Sequence, residues 1–105
     1  MAIITRKGEA RRMDRAPGVV VHILTDGEKA MVVEVDIEPG AVVPMHTHPH
    51  EQTGTLISGR MRFEIGDETF DLEPGDAWMI PGGVPHSATA GSADVVTLNV
   101  WPPRM

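Results

Sequence analysis

Turn-forming residues recur at short, even intervals along this chain and leave no room for a long helix. Asp26-Gly27, Gly66-Asp67 and Gly75-Asp76 are three of these turn signals. Between such turns, apolar and polar residues alternate, as they do from Lys29 to Ile37, and no segment shows a helical period. The pattern therefore predicts about nine short strands arranged as an antiparallel sandwich or barrel.

The predicted strands cover most of the chain. In order, they are a short strand around Ala2 to Thr5, then Val19 to Thr25, Lys29 to Ile37, the histidine-rich stretch from Pro44, Thr53 to Ser58, Arg60 to Ile65, Thr69 to Leu72, Ala77 to Ile80 and Asp94 to Trp101. A loop from Pro81 to Pro85 is expected to carry His86. Residues 1–15 are predicted to form a strand and a basic arm, and residues 16–105 a single barrel whose interior is wide enough for a small ligand.

Charge is distributed unevenly along the chain. Residues 1–15 carry five basic and two acidic side chains, a balance of +3, and the remaining residues carry a balance of −9. The acidic body argues against nucleic acid as a partner. The arm is either solvated, in weak contact with a polyanion, or laid across the acidic face of a second subunit, and we expect a homodimer.

The composition limits both the ligands and the location of the protein. There is no cysteine, so a metal site must be built from nitrogen and oxygen donors. No apolar run is long enough to span a bilayer, and the first residues lack the apolar segment of a secretory signal. We therefore expect a cytoplasmic protein without a membrane partner.

Three histidines lie within five residues, at positions 46, 48 and 50. On an extended strand, His46 and His48 project to the same face, roughly 7 Å apart, and can share one metal ion. Gln52 has the same parity, whereas Glu51 faces away. His50 follows Pro49, where the backbone is expected to turn, and is an alternative to Gln52 as a fourth ligand. The competing interpretation is a solvated, histidine-rich loop; such short tracts usually bind metal.

Two spaced motifs resemble those of the cupin family. The first consists of Gly40, His46, His48, Gln52 and Gly59, and the second of Gly75, Pro81, Gly83 and His86. The resemblance implies an all-β double-stranded β-helix, the RmlC-like jelly-roll barrel with antiparallel strands, and a metal bound by His46, His48, Gln52 and His86. The sequence departs from the family at Gln52, where a glutamate is usual, and at Ala90, where an asparagine often closes the second motif.

The change at Gln52 alters the expected chemistry. Three imidazoles and one amide oxygen form a neutral shell, so a bound divalent ion keeps its full charge. Compared with an ion in a shell that contains a glutamate, it is a stronger Lewis acid and binds an anionic small molecule more tightly. A neutral shell gives less support to a trivalent ion, which disfavours an iron oxygenase. Nitrogen and oxygen donors suit Zn, Ni, Mn, Fe or Co, and the sequence does not rank these metals.

Within the family, the chain is similar to the small pectin-degradation cupins, which open unsaturated uronates to linear keto sugars. Their C-terminal pattern of an acid, an aromatic, prolines and an arginine falls here on Asn99, Trp101 and Arg104. The resemblance implies proton transfer at the first position and carboxylate binding at the last. An asparagine cannot act as a carboxylate base. Trp101 can equally be a rim or core aromatic, and Arg104 a solvated tail.

Three functions remain open from the sequence. The first is a metal-dependent enzyme that polarises a small oxygenated or carboxylated compound, such as a sugar acid. The second is a metal-dependent dioxygenase, and the third is a binding or sensing module without turnover.

Overall fold

The computed structural model describes residues 1–6 and 8–103, and this part of the chain contains ten strands. They are β1 (Arg11–Ala16), β2 (Val19–Asp26), β3 (Met31–Ile37), β4 (Val42–His46), β5 (Gln52–Ser58), β6 (Met61–Ile65), β7 (Glu68–Leu72), β8 (Ala77–Ile80), β9 (His86–Ala90) and β10 (Val95–Trp101). Every pairing between them is antiparallel. None of the described residues form a helix that could cross a membrane.

The strands form two sheets that enclose the core. One sheet has the order β1-β2-β3-β10-β5-β8, and the other has the order β4-β9-β6-β7. Val33 on β3 and Phe63 on β6 are buried, whereas Arg62 next to Phe63 is exposed. This alternation places the apolar side chains between the sheets, as the sequence predicts. The predicted fold class, an all-β antiparallel jelly roll, is confirmed.

Two local predictions were wrong. No strand forms around Ala2 to Thr5; the first strand is β1, which pairs with β2. The apolar pattern did not reveal β1 because five of its six residues are exposed, so it is defined by hydrogen bonds to the edge of β2. His86 begins strand β9 and does not lie in the preceding loop. The separation of residues 1–15 from residues 16–105 stays a prediction.

The motif glycines occupy the turns between strands. Gly40, Gly59, Gly75 and Gly83 all have positive φ, between 72° and 99°, as their positions at strand ends predict. Gly59 has a second requirement, because a Cβ there would lie 3.0 Å from the Cα of Val95. The close approach of β5 and β10 at this point therefore needs glycine.

Candidate metal centre

The three histidines of the cupin motifs meet at one end of the barrel. His46 ends β4 and lies opposite His86, the first residue of β9, while His48 lies in the loop that follows β4. The ring centroids are 4.2 Å apart for His46 and His86, 5.0 Å for His48 and His86, and 5.7 Å for His46 and His48. One ring nitrogen from each residue lies within 4.8 Å of the other two, so the cluster could hold a metal ion.

Each ring is held by a backbone carbonyl. Nδ1 lies 2.8 Å from the Pro44 oxygen in His46, 2.9 Å from the His50 oxygen in His48, and 2.9 Å from the Val84 oxygen in His86. A carbonyl can only accept, so Nδ1 must carry the proton in all three rings. A neutral imidazole with its proton on Nδ1 presents its lone pair on Nε2, and this is the tautomer that binds a metal through Nε2.

His86 has an unsatisfied nitrogen in the protein interior. The residue is 2% exposed, and its Nε2 atom is buried without a hydrogen-bond partner among the described residues. Burial lowers the pKa of His86 and outweighs the hydrogen bond to Val84, which acts in the opposite direction; His46 and His48 lower it further. A neutral ring with an unused lone pair is costly in a core unless it has a ligand. The donor set therefore fits a divalent transition metal.

Gln52 completes the inner side of this cluster. It is buried at the start of β5, whereas Glu51 is exposed, in agreement with the parity of the sequence. Its Oε1 atom lies 2.9 Å from Nε2 of His48. In a neutral His48 ring with its proton on Nδ1, this nitrogen carries no proton, and its lone pair faces a lone pair of Gln52 Oε1. A cation bound to both atoms would remove this repulsion, so Gln52 Oε1 fits the role of an oxygen donor.

A chain of hydrogen bonds fixes which atom of Gln52 faces the histidines. The carbonyl of Val35 accepts from Thr97 Oγ1 at 3.3 Å, and Thr97 Oγ1 accepts from Asn99 Nδ2 at 3.0 Å. Asn99 Oδ1 is thus left to accept from Gln52 Nε2, at 3.3 Å. We call this chain of hydrogen bonds, from Gln52 through Asn99 and Thr97 to the Val35 carbonyl, the relay. Since the Val35 carbonyl cannot donate, the donors and acceptors along the relay can be arranged in one direction only. It turns the Gln52 nitrogen towards Asn99 and the oxygen towards the histidines.

Gly54 makes room for this relay. It pairs with Asn99 across β5 and β10, and a Cβ at Gly54 would lie 2.5 Å from Asn99 Oδ1 and 2.8 Å from the Trp78 ring. Sequence reasoning did not identify Thr97 or Gly54. The available signal was two polar residues, Thr97 and Asn99, on the inward parity of an otherwise apolar strand.

The other predicted site residues lie in different places. Asn99 is 3% exposed and joins the relay, so its amide lies beside the histidine cluster. Trp101 packs against the cluster of Val21, Met31 and Val33, and its Nε1 atom is buried without a partner in the described structure. Arg104 lies outside the described residues.

The alternative fourth ligand, His50, is not part of the three-histidine cluster. Its ring stacks on His48, with centroids 4.1 Å apart and planes within 2°. Burial, followed by the charge of His48, lowers the pKa of His50. The remaining histidine, His22, bonds to Asp36 at 3.0 Å on the six-stranded sheet, and together with Glu34 and Asp36 it forms a second, half-buried group that could hold a metal ion.

A cavity of about 540 Å³ connects the histidine cluster with the rest of the barrel interior. Both sheets line it, and the exposed lining residues belong to β1 and to the end of β2, where the cavity opens. These rim residues are Arg11, Met13, Asp14, Arg15 and Asp26. The volume lies within the range of small-molecule sites, and such sites are typically concave and mostly apolar.

A β-barrel with a histidine cluster in an internal cavity is typical of proteins that bind a metal ion and a small molecule. Comparison of the chain with known proteins identifies the family. The Cupin domain family matches residues 33–101, more than half of the chain, and the protein belongs to the cupin family. The chain superposes on KdgF from Halomonas sp. with a TM-score of 0.90 and 29% identity, over 100% of this chain and 96% of that one. The predicted resemblance to small cupins, including those of pectin degradation, is confirmed.

Two further similarities were found. An RmlC-like cupin from Shewanella frigidimarina NCIMB 400 has a TM-score of 0.88 and 19% identity, with 99% and 93% of the two chains covered, and shows the shared fold. Oxalate decarboxylase OxdC of Bacillus subtilis (strain 168) is 35% identical over 77 residues. This match covers 69% of the present chain but 20% of that enzyme, so the chain spans about a fifth of the relative's length. A structure of the same enzyme, studied for its Mn(II) centres, has a TM-score of 0.80 and 22% identity, with 98% of this chain and 31% of that chain covered.

Proposed function

We propose that this cupin is a metal-dependent enzyme that acts on a small oxygenated or carboxylated compound. One observation carries the proposal. Three histidines donate Nδ1–H to backbone carbonyls and direct their Nε2 lone pairs into one cluster beside the Gln52 oxygen. A divalent ion bound there would act as a Lewis acid on an oxygen atom of the substrate. The Mn(II) centres of the oxalate decarboxylase support a transition metal of this kind.

The chain's own residues would hold and orient the substrate. The carbonyl contacts fix the three rings, and the relay through Asn99 and Thr97 fixes Gln52. Both sheets line the cavity with mostly apolar side chains, and electrostatic interactions are stronger in such surroundings than in bulk water. Arg11 and Arg15 line the cavity at its rim beside Asp14 and Asp26, so the formal charges of the rim balance and an anionic end of a ligand would depend on the metal. Contacts of Trp101 and Arg104 with the substrate stay predictions.

A binding or sensing module is the second candidate, and one observation favours it. Among the described lining residues, the only carboxylates are Asp14 and Asp26 at the rim, and none lies beside the histidine cluster. Asn99, at the position where the resemblance implies an acid, is committed to the relay. A proton-transfer step in the interior would therefore need a group other than a carboxylate.

Metal analysis tests the centre itself. Elemental analysis of the purified protein should find about one divalent transition metal per chain, and the double variant His46→Ala/His48→Ala should lose it. His22→Ala tests the competing group of His22, Glu34 and Asp36, and it should retain the metal if the ion binds at the three-histidine cluster. Full occupancy in the double variant would refute the site.

Two activity assays separate the candidates. Loss of the absorbance of an unsaturated uronate would support the uronate-opening activity implied by the family resemblance. Oxygen consumption with Fe(II) in an oxygen electrode would instead support the dioxygenase alternative. Metal binding without turnover of any substrate would leave the binding module. The homodimer and the cytoplasmic location stay predictions.

A further inference from the structure

The cavity that ends at the histidines has few polar groups available to a ligand. Of the polar side chains in its interior, three are the histidines themselves, and Gln52, Asn99 and Thr97 bond to one another. Among the described residues, Ser87 adds one hydroxyl, and the indole N–H groups of Trp78 and Trp101, which are buried without a hydrogen-bond partner, add two donors. A sugar acid in this space would bury several hydroxyl groups, and each one without a partner would cost binding free energy.

The rest of the interior is apolar and is contributed by both sheets. The apolar lining residues are Val19, Val21, Ile23, Met31, Val35, Ile37, Val43, Met61, Phe63, Trp78, Ala88 and Trp101. A surface of this kind gains free energy by burying apolar ligand atoms. The charged and hydrogen-bonding side chains belong mainly to the histidine cluster with its neighbours and to the exposed rim formed by β1 and the end of β2.

We propose that the ligand of this cavity is a compound with an apolar body and one oxygen-bearing anionic end, such as an aromatic carboxylate, and not a polyhydroxylated sugar acid. This inference rests on the proposed function, because the histidine cluster would receive the oxygen-bearing end. The apolar body lies along β2 and β3 in the cavity. The ligand class therefore differs from the uronates suggested by the family resemblance.

Two carboxylates of similar size test the inference directly. 2-Naphthoate has a flat aromatic body, and D-galacturonate has a polyhydroxylated one, while both carry a single carboxylate. Isothermal titration calorimetry with Zn(II)-loaded protein should show 2-naphthoate binding at least about tenfold more tightly, because only its body matches the lining. Equal or tighter binding of galacturonate, or no binding of either compound, overturns the inference.

A pair of substitutions on β3 locates the effect. Val35 lines the cavity, whereas Val32 does not, and both valines are half-buried on the same strand. Val35→Thr places a hydroxyl against the apolar body and should weaken 2-naphthoate binding roughly fivefold. Val32→Thr, the same near-isosteric change outside the cavity, should leave it unchanged. Equal effects of the two variants contradict binding in this cavity, and the wild-type comparison does not depend on either variant folding.

Measurement without metal separates this inference from the proposed function. Metal-free protein should still prefer 2-naphthoate, because the apolar lining is unchanged, although both ligands should bind more weakly. If elemental analysis and titration show no metal binding but the preference persists, the metal centre fails and the ligand class stands. If the metal binds and galacturonate is preferred, the ligand class fails and the metal centre stands.

Discussion

At the residue scale, the surroundings of Gln52 suit an amide and not the glutamate usual in cupins. Asn99 Oδ1 faces Gln52 and needs a donor there. A glutamate would place a carboxylate oxygen against this carbonyl, so Asn99 would have to turn its amide by half a rotation. Thr97 would then redirect its hydrogen to Asn99, and the Val35 carbonyl would lose that side-chain donor. The relay in its present direction therefore requires an amide at position 52, and that amide is in turn oriented by the relay.

The first prediction concerns the charge of this ligand. Gln52→Glu should tighten binding of Zn(II) by roughly tenfold, because a charged oxygen donor outweighs the hydrogen bond lost when the relay reverses. Isothermal titration calorimetry measures the change. Glu51→Gln is the control and should have little effect, since Glu51 is exposed. If Glu51→Gln loosens the metal while Gln52→Glu leaves it unchanged, Glu51 is the ligand.

The second prediction isolates the relay. Thr97→Val removes the hydroxyl that fixes the direction of the Asn99 amide and should weaken Zn(II) binding about tenfold, the usual lower limit for a group that supports a ligand. Thr55→Val is a matched control. Thr55 also donates a hydroxyl hydrogen to a backbone carbonyl, that of Asp76 at 3.0 Å just before β8, and no hydrogen bond links it to Gln52 among the described residues. Both variants should lose ~1 kcal/mol of stability.

Thermal unfolding reports the stability of these two variants, and titration reports their affinity for the metal. Thermal unfolding of metal-free protein should show similar losses for Thr97→Val and Thr55→Val, whereas titration should show weaker metal binding in the first alone. Equal metal affinities would mean that Gln52 is oriented without the relay. The sequence could not reveal this relay, because its partners are 47 and 62 positions apart and meet only when β3, β5 and β10 pair.

At the element scale, two loops bring the third histidine to the other two. The loop before β9 packs against the loop after β4, where Gly83 N donates to the His48 carbonyl at 2.8 Å. A Cβ at Gly82 would overlap the carbonyl of Pro49. This contact sets the position of His86 relative to His48, and glycine is required at position 82 because the two backbones touch.

The third prediction tests this contact. Gly82→Ala should destabilise the fold by ~1–3 kcal/mol through overpacking and should weaken metal binding, because the two loops must separate. Gly91→Ala is the control: Gly91 lies in another loop, and its nearest neighbour to an added Cβ is the Arg60 carbonyl at 3.3 Å. Thermal unfolding and Zn(II) titration of both variants decide the matter. Equal losses of metal affinity would contradict a positioning role for this contact.

The strands differ in how far sequence predicts them. β3 and β6 alternate apolar and polar residues, so both their existence and their buried faces follow from the pattern. β1 consists mainly of exposed polar residues, and its strand conformation depends on pairing with β2. β9 contains small residues after a proline-rich loop and is stabilised by β4 and β6 on either side. The alternation of apolar and polar residues thus predicts strands that have a buried apolar face. It does not predict strands such as β1 and β9, whose conformation depends on pairing with their neighbours.

At the scale of the whole molecule, the six-stranded sheet has an outer face rich in apolar side chains. Ile57, Met79 and Val100 are 52%, 55% and 44% exposed on strands β5, β8 and β10. Val100 and Met79 flank Thr53 across the paired strands, and a large patch of exposed apolar side chains on one sheet face marks an interaction surface. A second copy of the chain is the partner we predict, because a two-fold axis would place the same patch of each copy against the other.

The fourth prediction locates that interface with two matched substitutions. Val100→Glu introduces a charge into the apolar patch, and Val42→Glu introduces the same charge on β4 in the other sheet, at nearly equal exposure, 44% and 45%.

Because both sites are exposed, neither change should alter the stability of the monomer by more than ~0.5 kcal/mol. In an interface formed by this patch, Val100→Glu would bury an unpaired charge on each copy against apolar side chains of the other, so it should raise the dimer dissociation constant at least tenfold, roughly the effect of losing a central contact. Light scattering at micromolar concentration should give twice the monomer mass for the wild type and for Val42→Glu, and a lower mass for Val100→Glu. A monomeric wild type would exclude the homodimer, and dissociation by Val42→Glu alone would move the interface to the four-stranded sheet.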